Sequence, residues 1–410
     1  VVELRQVDGI DGGGNVSRVV LAYSGGLDTS VAIPWLKEQG HEVVAIAVDV
    51  GQPGDLAAAA ARADALGAVE ARVVDAREAF VEDFVWPALR MNALYQGLYP
   101  LVSALSRPLI AKVLAQVARE TSSDAVAHGC TGKGNDQVRF EVALGALAPD
   151  LEVLAPVRDW SMTRGDTIAY AEERSLPITT TKSSPYSIDE NLWGRSIECG
   201  VLEDPWNACP EDAFELTTAP LEAAPPKDVE ISFEGGIPIS IDGEVLDPIN
   251  LIHSLSKIAG SCGFGRIDLV EDRVVGIKTR EVYEAPAALT LIKAHTDLEN
   301  LTLEGRFLRE KRHLEARWAD LAYEGLWFSP LREAIDAFAA TSSSHVTGDV
   351  RVRIGSAGCL PVGRRSKTAM YDEAAATYES DDGFDQSAAP GFVALWGLSS
   401  KRWATIHPPA

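Results

Sequence analysis

Two short stretches concentrate residues whose types and spacing could do chemistry. The first is LAYSGGLDTS, Leu21 to Ser30, at the end of an apolar run. Gly25 and Gly26 carry no Cβ, so backbone N–H groups there can approach an anion closely and adopt conformations other residues resist. A helix starting just beyond adds N–H donors and the positive end of its dipole. Ser24, Thr29 and Ser30 add hydroxyl donors. Asp28 fits an anion site only with a magnesium ion between, a common arrangement beside phosphates. No lysine follows the glycines, so this is not the GxxxxGK[ST] phosphate loop, and GxGxxG does not match either. The competing reading is a plain strand–helix turn in which Ser and Asp cap and glycine turns. Two consecutive glycines with three hydroxyls exceed what a cap needs.

The second stretch is HGCTGKGNDQVRFE, His128 to Glu141. Gly134 follows Lys133 where a phosphate loop needs a hydroxyl, so this is not that loop. Gly129, Gly132 and Gly134 make a pliant turn, and Asn135, Asp136 and Arg139 fall in the first turn of a following helix. Thr131, Asn135 and Asp136 offer donors and acceptors suited to an amino acid's α-carboxylate and α-amine. Arg139 offers a planar fork for a carboxylate. A surface loop ending in an N-cap is the competing reading.

These stretches need rigid elements behind them. RVVLAY, EVVAIAVDV, EARVVDA, DAVAHG and EVLAPV are short apolar runs, separated by helical segments such as TSVAIPWLKEQG and GDLAAAAARADALG. Pro34 is expected in the first turns of its helix, where its missing N–H does least harm. A long helical stretch is expected from about Arg77 to Glu120, broken near GLYPL. Continuous apolar strands alternating with helices predict an α/β fold, a parallel sheet covered on both faces. Ligands of such sheets bind at the carboxyl ends of the strands, where both glycine-rich stretches fall.

Beyond about Pro177 the pattern changes. VEISFEGGIPISIDGEVL, GRIDLVEDRVVGIKTREVYEAP and DVRVRIGSAGCLPVG alternate with turn residues as strands of a mixed or antiparallel sheet do. PINLIHSLSKIAGSCG and the run from Ala288 to Gly325 read as helical, which predicts an α+β second domain. In the tail, SKTAMYDEAAATYES is expected to form a helix and FVALWGLSSKRWATIHPPA one further short element.

The bulk properties exclude several function classes. With 410 residues, two domains are the default. A formal net charge of −23 opposes binding to nucleic acid or anionic membranes, so a polyanionic ligand needs a local site. Cys130, Cys199, Cys209, Cys262 and Cys359 are scattered, without a CxxC pair, which argues against a disulfide framework or zinc site and suits a reducing cytoplasm. No apolar run approaches the roughly 20 residues of a membrane span. Val1 to Ser17 reads as a flexible leader.

SGGLDTS after a buried strand resembles the pyrophosphate loop of N-type ATP pyrophosphatases, which hold the β- and γ-phosphates and transfer AMP. AYSGGLDTS with HGCTGKGNDQVRFE and SIDENLWGRSIECGVLEDP is similar, in that order, to the argininosuccinate synthase family. The resemblance runs from about Arg18 to at least Glu284, and more loosely through the C-terminal region. It implies a nucleotide-binding domain of the adenine nucleotide alpha hydrolase-like (HUP) type over 18–176, with a synthetase and multimerisation domain over 177–363. An oligomerisation tail over 364–410 completes the division. The implied reaction is an AMP-forming C–N ligation of L-citrulline and L-aspartate in arginine biosynthesis. It passes through citrullyl-AMP and uses ATP with Mg2+ as co-substrate. A cytoplasmic homotetramer is implied as well.

The same resemblance implies ATP contacts at Ala22, Tyr23, Ser24, Gly25, Gly26, Leu27, Asp28, Thr29 and Ser30, with backbone contacts at Val48, near adenine, and at Gly129. Asp49, which a dinucleotide-fold reader would assign to ribose, is passed over for Val48. Aspartate is assigned to Thr131, Asn135 and Asp136, with Asp136 orienting the incoming amine. Citrulline is assigned to Tyr99, Asn135, Arg139, Ser187, Ser196, Glu271 and Tyr283. One departure stands out: Val102-Ser103-Ala104 replaces the Gly-Thr-Ser of many family members, whose serine touches citrulline. The rivals fit less well. A tRNA-thiolating enzyme needs reactive cysteines and a basic surface, an amidotransferase needs a glutaminase module, and a nucleotide sensor leaves the second stretch without a purpose.

Overall fold

The structure, a computed structural model, describes residues 17–160, 162–177, 186–378 and 383–408. Of the leader expected over 1–17, residues 1–16 lie outside the described residues, and Ser17 is tied down, its carbonyl accepting from the Glu42 N–H at 3.0 Å. The five apolar runs form β1 (Arg18–Ala22), β2 (Glu42–Asp49), β3 (Glu70–Asp75), β4 (Ala125–Ala127) and β5 (Glu152–Leu154). They pair parallel throughout, in the order β3-β2-β1-β4-β5. Alternate residues serve different faces. Val20, Val44 and Ile46 join one apolar cluster, whereas Val19, Leu21, Val43 and Ala45 join another. Both faces are therefore dry, which is why these strands read as unbroken apolar runs.

On one face, α1 (Leu27–Glu38) and α2 (Leu56–Ala65) supply Ile33, Leu36, Ala59 and Ala63 to the second cluster. Pro34 sits deeper in α1 than expected, beyond the second turn, because the helix begins at Leu27. Its ring removes one N–H from the ladder, without ending the helix. The stretch from Arg77 divides into a helical piece over 77–90, wound as a π-helix at Val81–Val85, and α3 (Val102–Glu120). Between them Leu101, wholly buried, adopts φ 64° at the start of α3. The first half ends with α4 (Asp136–Leu147) and α5 (Arg164–Glu173).

The second half holds two antiparallel sheets. One contains β6 (Ser187–Asn191), β7 (Gly194–Glu198), β11 (Arg266–Asp272) and β12 (Lys278–Glu284), in the order β11-β12-β7-β6. The other contains β8 (Lys227–Glu234), β9 (Ile237–Ile241), β10 (Glu244–Val245), β13 (Gly348–Gly355) and β14 (Gly358–Arg365), in the order β10-β9-β8-β13-β14. The hairpin β6–β7 was not among the expected strands, because its polar residues carry no hydrophobic period. Helices α6 (Pro248–Ser261), α7 (Pro286–Thr302), α8 (Gly305–Tyr323) and α9 (Pro330–Ser343) lie among these strands, and α9 is an addition to the expected set. The first apolar cluster continues from Val20 through α3 into Leu291, Trp318 and Val352, so both halves share one core.

The tail departs from its reading. The helix expected over SKTAMYDEAAATYES is one turn, Glu373–Ala376, among the described residues; none of its residues is buried, which leaves helix nucleation without a core to offset it. Helices α10 (Ala389–Trp396) and α11 (Leu398–Ile406) follow, with no buried residue in either. Among the described residues, no helix is long and apolar enough to cross a membrane.

Candidate active site

The strand order reverses between β1 and β4, so the loops leaving these strands diverge around a crevice at their carboxyl ends. In the first loop, Gly25 takes φ 76° and its carbonyl accepts from Arg62 Nη1 of α2 at 2.8 Å. Gly26 is the N-cap of α1 and no side chain caps that helix. The reading in which Ser or Asp caps the turn therefore does not hold, and the first-turn N–H groups stay available to an anion. Ser24 Oγ lies 3.0 Å from Thr29 Oγ1, and the buried Ser30 bonds the Tyr23 hydroxyl at 3.1 Å. Asp28 is half-buried; burial raises its pKa, and the charge of Arg164 on α5 partly opposes this.

The second loop touches the first. A Cβ on Gly129 would lie 2.6 Å from Thr29 Cγ2, so only glycine permits this approach. Beyond it, α4 also starts without a side-chain cap, at Asn135. Asn135 donates to the Tyr323 hydroxyl at 2.8 Å and accepts from the Val274 N–H at 2.9 Å. Asp136 is held from both sides. Arg107 Nε and Nη2 lie 2.9 and 2.8 Å from one oxygen, and Arg139 Nη1 lies 2.9 Å from the other. Burial alone would raise the Asp136 pKa, but the two guanidinium groups outweigh it and hold the carboxyl down at about 2. Arg107 also reaches Asp189 at 2.7 Å, joining α3, α4 and β6.

One face of the sheet β11-β12-β7-β6 forms the opposite wall. Register sets Asp189 beside Ser196, Ser196 beside Tyr283, Ser187 beside Glu198 and Leu269 beside Glu281. Because side chains alternate, these residues and Glu271 share that face. Tyr283 donates to Glu271 at 2.8 Å, Tyr323 donates to its other oxygen at 2.9 Å, and Tyr99 stacks on Tyr283 at 4.1 Å. Burial raises the Glu271 pKa while the two phenol hydrogen bonds oppose it. Arg273 sits among Glu198 (2.6 Å) and Glu281 (2.7 Å). Burial, then repulsion from Glu198 and Glu271, drives Glu281 well above the usual carboxylate range. The hairpin tip anchors this wall to the first half: Leu192 N–H donates to the Val50 carbonyl at 3.0 Å and Trp193 Nε1 to the Pro100 carbonyl at 2.9 Å.

Together the walls enclose a cleft of about 600 Å³. Of the residues singled out from sequence, it is lined by Ala22, Tyr23, Ser24, Thr29, Val48, Tyr99, Gly129, Thr131, Asn135, Asp136, Arg139, Ser187, Ser196, Glu271 and Tyr283. Gly25, Gly26, Leu27, Asp28 and Ser30 are not on its wall; they shape the loop beside it. Asp49 accepts from the Gly51 N–H at 2.8 Å, a bond within its own turn. Ser103 lines the cleft with Oγ 3.5 Å from Ser196 Oγ, whereas Ala104 is wholly buried. Sequence reasoning missed Gln52, Arg107, Asp189, Glu198, Arg273 and Glu281. Helical spacing from Ser103 would have found Arg107, and strand alternation from Ser187, Ser196 and Tyr283 would have found Asp189, Glu198 and Glu281.

Comparisons with known proteins identify the family of the chain. One solved structure, the NH3-dependent NAD synthetase of Campylobacter jejuni subsp. jejuni, overlaps 40% of this chain and 67% of its own, at 18% identity and a TM-score of 0.29. The chain is 56% identical over 386 residues to the argininosuccinate synthase of Bacillus licheniformis, covering 94% of this chain and 96% of the relative. It is 54% identical over 392 residues to that of Halalkalibacterium halodurans, covering 95% and 96%. The family model for the arginosuccinate synthase N-terminal HUP domain matches residues 18–177, and that for the C-terminal domain matches 186–403. On these matches the chain belongs to the argininosuccinate synthase family.

Proposed function

We propose that this chain ligates L-citrulline to L-aspartate at the expense of ATP, through citrullyl-AMP, releasing AMP and pyrophosphate. The observation that carries this reading is the shared cleft. Tyr23, Ser24 and Thr29, at the uncapped start of α1 beside the double glycine, line one side, and a sheet face of hydroxyls, phenols and carboxylates lines the other. The first side suits the triphosphate, with the backbone N–H groups near Gly25 and Gly26 and the hydroxyls of Ser24 and Thr29 as donors. Val48 and Gly129 flank the nucleoside. The second side suits two amino acids: Thr131, Asn135 and Asp136 for aspartate, and Tyr99, Arg139, Ser187, Ser196, Glu271 and Tyr283 for citrulline.

The ureido oxygen of citrulline attacks the α-phosphorus, forming an O–P bond as the bond to the β-phosphate oxygen breaks. The aspartate amine then attacks the ureido carbon, and AMP leaves with the ureido oxygen. Adenylation makes that oxygen a leaving group, so the chain's work is positioning and charge stabilisation. Asp136, kept ionised by Arg107 and Arg139, can accept a hydrogen bond from an N–H of the incoming neutral amine and orient its lone pair, the amine's surplus proton being released to solvent.

Magnesium fits the residues present. Asp28 is a half-buried carboxylate in the first turn of α1, and burial outweighs the distant charge of Arg164 in setting its pKa. Among the described residues no cluster of three ligands could hold a metal alone. Asp28 would be the protein oxygen that holds a magnesium ion carried by the triphosphate; when bound, the ion would supply charge neutralisation on the pyrophosphate leaving group.

We also read the chain as a cytoplasmic homotetramer of a nucleotide-binding half over 18–176, a synthetase half over 177–363 and an oligomerisation tail over 364–410. The exposed apolar residues Phe392, Trp396 and Trp403 of the tail support the assembly. The deciding assay mixes protein with MgATP, citrulline and aspartate and measures AMP and pyrophosphate. Both are expected only when both amino acids are present; ADP as product, or turnover without citrulline, overturns the reading.

A further inference from the structure

The last bond between β1 and β2 runs from Tyr23 N–H to the Ile46 carbonyl, at 2.9 Å. Two residues further, the Val48 carbonyl has the same orientation along the strand, but β1 has already ended at Ala22. The partner that Val48 finds is a side chain. Gln52 Nε2 donates to the Val48 carbonyl at 2.7 Å, while Gln52 Oε1 accepts from the Val50 N–H at 2.8 Å. These bonds fix the orientation of the amide, since a carbonyl needs a donor and an N–H needs an acceptor. Val48, Val50 and Gln52 all line the cleft, beside Ala22, Tyr23 and Ser24 of the phosphate loop.

A primary amide presents a donor and an acceptor side by side. Adenine does the same along its Watson–Crick edge, with its 6-amino group as donor and N1 as acceptor. Gln52 thus satisfies the two backbone groups at the end of β2 with the hydrogen-bond pattern of an adenine base. The family likeness already puts Val48 beside adenine; we propose that the Gln52 amide occupies the Val48 carbonyl and Val50 N–H in the free protein until the 6-aminopurine edge of ATP displaces it. This inference rests on the ATP-dependent reading of the cleft. The competing account is that Gln52 only braces the turn after β2, and it remains in place when nucleotide binds.

The displacement has a thermodynamic signature. A site held by its own side chain binds with an apparent affinity lowered by the fraction of time it is closed. Replacing Gln52 with Met removes both amide bonds while keeping a chain of similar length. Gln52→Met is therefore expected to bind MgATP about three- to tenfold more tightly than the wild type, from the size of one or two neutral hydrogen bonds. Inorganic tripolyphosphate is the discriminating probe, because it fills the phosphate loop without a base and leaves Gln52 in place. Its affinity is expected to stay unchanged in the variant. Titration calorimetry with each ligand measures both. Weaker or equal ATP binding in Gln52→Met, or an equal gain for tripolyphosphate, overturns the inference.

A second measurement needs no variant. With isotope-labelled glutamine in the wild type, the Gln52 side-chain amide is expected to be protected from solvent exchange in the free protein and to lose protection when MgATP is added. Protection that persists with ATP bound overturns the inference. A wild type that forms no AMP from ATP, citrulline and aspartate overturns the synthase reading itself. A wild type that turns over, beside an unimproved Gln52→Met, overturns only the role of Gln52.

Discussion

Asp136 concentrates the chemistry of the second loop in one carboxylate. Both of its oxygens are held by guanidinium groups, and these hold its pKa at about 2 against a burial effect that would raise it. The sign follows from the depressed value. The stabilisation is fully present above the unfolded carboxyl's usual range and is lost only as pH falls toward about 2. Aspartate use should therefore show no acid limb from this group at any pH above about 4. Asp136→Asn leaves Arg139 without its ion-pair partner and Arg107 with Asp189 alone. It is expected to destabilise the fold by roughly 1.5–3 kcal/mol, the scale of a hydrogen bond to a charged group. The KM for aspartate should also rise about tenfold, the factor that roughly 1.4 kcal/mol of lost binding produces. Steady-state kinetics with aspartate varied, beside chemical denaturation, checks both; near-normal KM and turnover would remove Asp136 from the role of orienting the amine.

The contact between the two loops belongs to the scale of elements. β1 and β4 are neighbours, so the turns that leave them meet, and Gly129 faces Thr29 with no room for a Cβ. Gly129→Ala should push the loops apart at a cost of about 1–3 kcal/mol, typical of overpacking, and raise the KM for ATP. Thr29→Ser removes the obstructing Cγ2 while keeping the hydroxyl that bonds Ser24. The double variant Gly129→Ala/Thr29→Ser should recover most of the lost ATP affinity, and an additive pair of defects would show that the clash is not the cause. The elements also explain what the sequence hid. The glycine-rich loops were legible because their residues are consecutive. The opposite wall was legible only at Ser187, Ser196, Glu271 and Tyr283, through family likeness. Its remaining members, Asp189, Glu198 and Glu281, lie on a strand face turned to a polar cleft. Such a face carries no hydrophobic alternation to find it by.

At the scale of the whole molecule, a shared apolar core joins the two halves, while the last two helices remain outside it. Phe392, Leu395, Trp396 and Trp403 are all exposed in the single chain. An apolar surface of this kind marks an interaction site. On the homotetramer reading, deleting residues 389–410 should lower the mass seen in sedimentation while leaving the thermal transition of the core nearly unchanged. A truncated chain that sediments as the full chain does would move assembly to another surface. The sequence by itself determined the parallel sheet, the two loops at its strand ends and the family. Runs of buried residues and clusters of glycines are local signals, written in consecutive positions. Only the tertiary structure decided that Arg107 ties Asp136 to Asp189, that Gln52 covers the end of β2, and that one sheet face closes the cleft. The Arg107 ties and the sheet face join residues far apart in the chain, which only strand order and register bring within bonding distance, whereas Gln52 reaches Val48 through the geometry of the turn that ends β2.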